Sequence, residues 1–152
     1  MKPRTGPLYR MGATLEFGPE ASGLPFLAGG WSVPEQAGYT WSDGPEAVLL
    51  LAVAQPARDA ACTLELMPFT VPGILPQQEV EFFFNHYRVG YAELAAGRQP
   101  VSLYLPRELF MLRTAILTLN IRTARSPHAL EMSADRRRLG VALWSFQIAP
   151  VA

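Results

Sequence analysis

EVEFFFNHYRV, residues 79–89, decides the fold. Its first six residues alternate, so that Val80, Phe82 and Phe84 fall on one face of an extended chain and Glu79, Glu81 and Phe83 on the other. Asn85 tolerates the left-handed backbone of a tight turn, and His86 stands where glycine fits more easily. The stretch is therefore expected to form a β-hairpin, and a hairpin makes its sheet antiparallel.

The same period of two recurs outward from this point. ATLEFG alternates and ends at Gly18-Pro19, and CTLELM sets Cys62, Leu64 and Leu66 on one side. PVSLYLP turns Val101, Leu103 and Leu105 inward, while AILTLNIR sets Leu117, Leu119 and Ile121 against Thr118, Asn120 and Arg122. VALWSFQI, read in strict alternation, places Ala142, Trp144, Phe146 and Ile148 on one face. AVLLLAV (47–53) is apolar on both faces, as a central sandwich strand can be. PRELFMLR (106–113) suits one or two helical turns with Pro106 at the start. Twelve glycines and fourteen prolines interrupt the chain too often for a long helix. The expected fold is all-β: an antiparallel, jelly-roll-like β-sandwich of about eight strands with at most one or two short helical turns. Residues 11–152 are expected to form one domain after a loose arm over residues 1–10.

Composition narrows the function. Of 152 residues, 49% are hydrophobic and 17% charged, which suits a globular domain and not a disordered one. Formal net charge is zero, so the surplus of positive charge on which nucleic-acid binding rests is missing. The single cysteine, Cys62, excludes an internal disulfide and reads as a buried thiol. MKPRTGPLYRMG lacks the apolar run of a signal peptide, and AVLLLAVA is too short to cross a bilayer, so no membrane insertion and a cytoplasmic location are expected.

Two stretches hold most of the distinctive residues. FLAGGWSVPEQAGYTWSDGPEAVLLL carries Gly30-Trp31, Pro34-Glu35, Gly38 and Trp41-Ser42-x-Gly44. SPHALEMSADRRRLG (126–140) carries Ser126-Pro127, Leu130, Ser133, Asp135, Arg137-Arg138 and Leu139-Gly140. Taken together and in this order, they resemble the small β-sandwich domain attached to bacterial glycosyltransferases and other proteins of exopolysaccharide assembly. The likeness runs over roughly residues 13 to 149, with Asn85-His86 where that family often has an Asn-Gly turn. The resemblance implies a non-catalytic, carbohydrate-binding-module-like fold in polysaccharide biosynthesis, here without an accompanying glycosyltransferase domain.

The residues themselves leave several uses open. Trp31, Glu35, Tyr39 and Trp41 suit sugar binding, with aromatic faces for ring C–H groups and a carboxylate for hydroxyls. The same residues also suit a plug at one end of the sandwich, with Glu35 paired to an arginine of the second stretch. Asp135, Arg137 and Arg138 read as a structural clamp. In an extended segment Arg136 and Arg138 share a side and Arg137 faces away. Phe83 and Tyr87 mark a candidate interaction surface for self-association or for docking to a glycosyltransferase. His86 and His128 are too few for a transition-metal site, and Glu35 with Asp43 offers only a minor possibility of Ca²⁺. Glu79 and Glu81 read as a solvated strand face, not a catalytic pair. No phosphate loop, G-x-S-x-G elbow or H-E-x-x-H occurs. The expectation is a non-enzyme without cofactor: an accessory carbohydrate-recognition module, or alternatively a docking or dimerisation module without direct sugar contact.

Overall fold

The computed structural model describes residues 6–151. Among them the alternating stretches form β1 (Thr14–Glu16), β2 (Trp31–Glu35), β3 (Tyr39–Asp43), β4 (Glu46–Ala52), β5 (Ala60–Pro68), β6 (Gln77–Phe84), β7 (Tyr87–Ala95), β8 (Gln99–Leu105), β9 (Thr114–Asn120) and β10 (Leu139–Pro150). Short 3-10 turns occupy Leu24–Phe26 and Arg107–Phe110, the second following Pro106. A six-stranded sheet runs β2-β3-β10-β5-β8, with β1 paired to β10 beside this path, and a four-stranded sheet runs β4-β9-β6-β7. Every ladder is antiparallel. The core lies between the sheets, built from Cys62, Leu64 and Leu66 on one side and Val80, Phe82, Phe84, Leu117 and Leu119 on the other. Burial pushes the Cys62 thiol far up its scale, which leaves it protonated and inert.

The 85–86 turn has the backbone that its strands require. Asn85 and His86 both have positive φ, +47° and +71°, and Phe84 faces Tyr87 across the hairpin. The Asn85 side chain also fastens the tip to the start of β9. Its Nδ2 donates to the carbonyls of Leu109 and Thr114, both at 2.9 Å, and its Oδ1 accepts the Ile116 amide at 2.8 Å.

Three features refine the expected sandwich. First, β4 is not central but an edge strand, with β9 as its only ladder neighbour among the described residues. Other backbone covers its open edge. Ala28 and Ala52 amides donate to Val48 and Pro7 carbonyls, and the Val48 amide donates to Gly29. Second, WSVPE and YTWSD form strands of their own, which raises the number above eight. Pro34 is tolerated because β2 is at the edge. Third, part of the expected arm is fixed. Tyr9 is buried, its amide donates to Ala52, its hydroxyl donates to Ile148 and accepts the Ile148 amide at 2.7 Å. Residues 1–5 of that arm lie outside the described residues.

The consequential difference is in β10. Leu143 pairs with Leu66 and Ser145 with Glu65, so Trp144 is an extra residue in a β-bulge. A bulge puts two successive side chains on one side and reverses the phase beyond it. Val141, Leu143, Phe146 and Ile148 thus point into the core, whereas Ala142 and Trp144 belong to the opposite, outer face. Strict alternation had grouped Trp144 with Phe146 and Ile148.

Candidate functional site

The bulge gives the six-stranded sheet an aromatic outer face. Along β3, Thr40 and Ser42 point inward and are buried, which sends Tyr39 and Trp41 outward. Tyr39 lies 4.7 Å from the Trp144 ring and 5.6 Å from the Trp41 ring, and Trp41 meets Phe69 edge-on at 6.3 Å. The Arg98 guanidinium covers the Trp144 indole at 4.4 Å and pairs with Glu65 at 3.3 Å. Four aromatic rings, one planar cation and one carboxylate therefore share one partly exposed surface. Beside it a groove of about 410 Å³ is lined by Glu16, Gly18, Pro19, Gly38, Arg98 and Trp144. Gly38 has φ +112°, a value that favours glycine, and it brings the β2–β3 turn against the Trp144 ring. The Trp144 indole N–H is the one buried side-chain polar atom without a hydrogen-bond partner among the described residues.

Of the four residues expected to contact a ligand, Tyr39 and Trp41 lie on this face and Trp31 does not. Trp31 pairs with Ser42 on the inward side, packs against the core and donates its indole N–H to the Val48 carbonyl at 2.9 Å. It therefore bridges the two sheets at their edge. Gly30 before it is required by space, since a Cβ there would sit 1.9 Å from the Glu46 carbonyl oxygen. Glu35 stands opposite Tyr39, at the rim of the aromatic face, and its carboxylate accepts the Arg137 guanidinium at 3.1 Å.

Arg137 joins the two distinctive stretches of sequence. Its Nε and Nη2 hold Asp135 bidentately at 2.9–3.2 Å, and its Nη1 reaches Ser32 Oγ at 2.9 Å as well as Glu35. Backbone bonds repeat the link: the Arg138 amide donates to Asp43, the Gly44 amide to the Arg138 carbonyl, and the Val141 amide to Ser42 Oγ. The last of these satisfies an amide at a register shift between β10 and β3. Arg138 directs its own guanidinium elsewhere, with Nε donating to the Ala124 carbonyl at 3.0 Å.

The hydrogen bonds from Arg137 hold the Asp135 carboxyl below the usual carboxylate range. A carboxyl depressed in the folded state adds stability above its unfolded value near 4, and that stability is lost as pH falls through the lower folded value. Arg137→Ala is expected to cost about 1–2 kcal/mol at neutral pH, between the values for exposed and buried pairs, because the side chain is about one-third exposed. It should also flatten the loss of stability below pH 4. Urea denaturation of both proteins from pH 3 to 7 checks this, and unchanged stability across the range contradicts it.

Phe83 and Tyr87 do not form one surface. Phe83 lies outward beside Arg88 and opposite Thr118, whereas Tyr87 faces Phe84, whose ring points into the core. Tyr87 is 66% exposed at the hairpin tip. Glu81 pairs with Arg88 at 3.2 Å, and the Glu79 amide donates to Thr123. Sequence reasoning missed Trp144, Arg98 and Phe69. Trp144 was hidden by the bulge, and Arg98 and Phe69 by their places just outside the ends of alternating runs.

No helix of the described residues is long and apolar enough to cross a membrane. No family model and no curated protein matches the chain. Among solved structures it is similar to a family 35 carbohydrate binding module from an environmental isolate, at 14% identity and TM-score 0.45, over 93% of this chain and 88% of that one. It is also similar to a xylan-binding domain from Paenibacillus barcinonensis, at 13% identity and TM-score 0.48, over 95% of this chain and 99% of that one. A Podospora anserina β-(1,4)-mannanase matches at 13% identity and TM-score 0.49, over 94% of this chain and 28% of the enzyme.

Proposed function

We propose that this chain is a non-catalytic carbohydrate-recognition module that receives a glycan on the outer face of its six-stranded sheet, as an accessory in bacterial polysaccharide assembly. One observation carries this: Tyr39 contacts both Trp41 and Trp144 on a partly exposed sheet face flanked by Arg98–Glu65 and Arg137–Glu35. Aromatic faces accept the C–H side of a pyranose ring, and planar guanidinium and carboxylate groups bond its hydroxyls. The charged groups are already held by ion pairs, so binding loses little side-chain freedom. Arg137 with Asp135 acts as the clamp that fixes Glu35 and the loop, and Arg138 ties the same loop through its backbone. Trp31 contributes by holding the sheet edges together and makes no ligand contact.

The carboxylates favour binding over catalysis. Glu35, Glu65, Glu81 and Asp135 are paired with arginines, and Asp59 accepts the Tyr104 hydroxyl and the Arg107 amide. A hydrolytic pair needs two carboxyls facing each other across a cleft. Titration against bacterial exopolysaccharide fragments tests the proposal. Trp41→Ala and Trp144→Ala are each expected to weaken binding at least about tenfold. Affinity unchanged in both variants, or no binding by the parent, overturns it.

A further inference from the structure

The arginine run of the second stretch has two sides, and only one is used by the clamp. Residues 121–138 cross from β9 to β10, and Arg125 forms an antiparallel bridge with Leu139, the first residue of β10. This bridge sets Arg125 beside Arg138. Arg137 turns toward Asp135, Ser32 and Glu35, while Arg136 and Arg138 line a separate cavity of about 400 Å³ together with Arg125, Ala124, Ser126 and Ala129.

Two of these three guanidiniums are positioned by backbone carbonyls. Arg138 Nε donates to the Ala124 carbonyl at 3.0 Å, and Arg125 Nη1 donates to the Ala124 carbonyl at 3.0 Å and to the Arg122 carbonyl at 3.4 Å. A guanidinium carries five N–H donors, so both retain most of theirs. Three nearby carboxylates are otherwise engaged, and a fourth, Glu131, lines the adjoining cavity with Ala129. Asp135 and Glu35 hold Arg137, and Asp43 accepts the Arg138 amide. Among the described residues no ion pair involves Arg125, Arg136 or Arg138. Three arginines thus line one cavity, with no ion pair to any of them among the described residues, in a chain whose formal net charge is zero. Like charges around one cavity repel, and an anion seated among them reverses the sign of that interaction.

We propose that Arg125, Arg136 and Arg138 form an oxyanion site and that the glycan is an acidic one, whose carboxylate or other anionic substituents seat there. This rests on the glycan reading above and names the class of glycan. The neutral part of the chain lies on the aromatic face, and the charged substituent is read by the fork geometry of the arginines.

The test compares oligogalacturonate, its methyl-esterified neutral counterpart and inorganic phosphate by calorimetric titration. The proteins are the full chain, Arg136→Gln, and the double variant Arg125→Gln/Arg138→Gln. Arg136 has no hydrogen bond in its side chain to lose among the described residues, so Arg136→Gln keeps the fold intact. The acidic oligomer is expected to bind at least about tenfold more tightly than the neutral one, and Arg136→Gln to remove about fivefold of that preference. Equal binding of both oligomers, unaltered in the variants, overturns the oxyanion site and leaves the glycan reading standing. Phosphate binding lost in Arg136→Gln, with neither oligomer bound, overturns the acidic glycan and the glycan reading together. Silence from all three probes overturns both.

Discussion

Phe146→Ala is expected to cost about 3–5 kcal/mol of unfolding free energy, and Trp144→Ala, two residues earlier, about 1–2 kcal/mol. The difference follows from the bulge. Phe146 is 1% exposed and meets the Tyr9 ring edge-on at 5.7 Å, so its loss leaves a cavity between the sheets. Trp144 lies on the outer face between Tyr39 and Arg98. Removing it forfeits those stacks but also removes an indole N–H without a partner, which offsets part of the loss. Strict alternation, with both rings in the core, demands that the larger tryptophan cost at least as much as the phenylalanine. Equilibrium urea denaturation of the two variants distinguishes these cases, and equal losses contradict the bulge.

Asn85→Ala is expected to cost about 3 kcal/mol, a large effect for a turn residue. The substitution leaves the Ile116 amide and the Leu109 and Thr114 carbonyls without the partners that Asn85 supplied. It also puts alanine at φ +47°, where a Cβ is disfavoured. Asn85→Gly relieves the backbone but not the lost bonds, so it should fall between parent and alanine. A loss below about 1 kcal/mol for alanine would mean that the tip is not fastened to β9.

These two residues show how much of the fold the sequence carried. Asn85 announced its turn because strand phase on both sides and the left-handed tolerance of asparagine agreed. What it did not announce is the tie to β9, which depends on a contact 31 residues away. Trp144 was misplaced because a bulge leaves no mark in a run as apolar as LWSF, where either phase buries a large side chain. The β2 and β3 strands show no clear alternation in the sequence because Pro34 and the turn at Gly38 interrupt them, and because the outward positions of β3 are aromatic instead of polar. The opposed directions of Arg137 and its neighbours were legible in the alternation of RRR. The convergence of Arg125 with Arg136 and Arg138 was not, since it comes from a bridge between chain segments.

The candidate site was legible in the same uneven way. Tyr39, Trp41 and Glu35 lie on or beside the aromatic face, while Trp31 was drawn inward by the pairing of its strand and by the Val48 carbonyl. Arg98 and Trp144 complete the face only after folding, from the β7–β8 turn and from β10, far apart in sequence.

The chain's three tryptophans supply the most direct measurement of where a ligand lies. Their indole N–H resonances are followed in a two-dimensional ¹⁵N NMR titration with exopolysaccharide fragments. The aromatic face as the glycan surface predicts saturable shifts at Trp41 and Trp144, with the Trp31 signal, bonded to Val48 at the sheet edge, left in place. Shifts confined to Trp31 and the 85–87 hairpin tip, or none at any tryptophan, would contradict it.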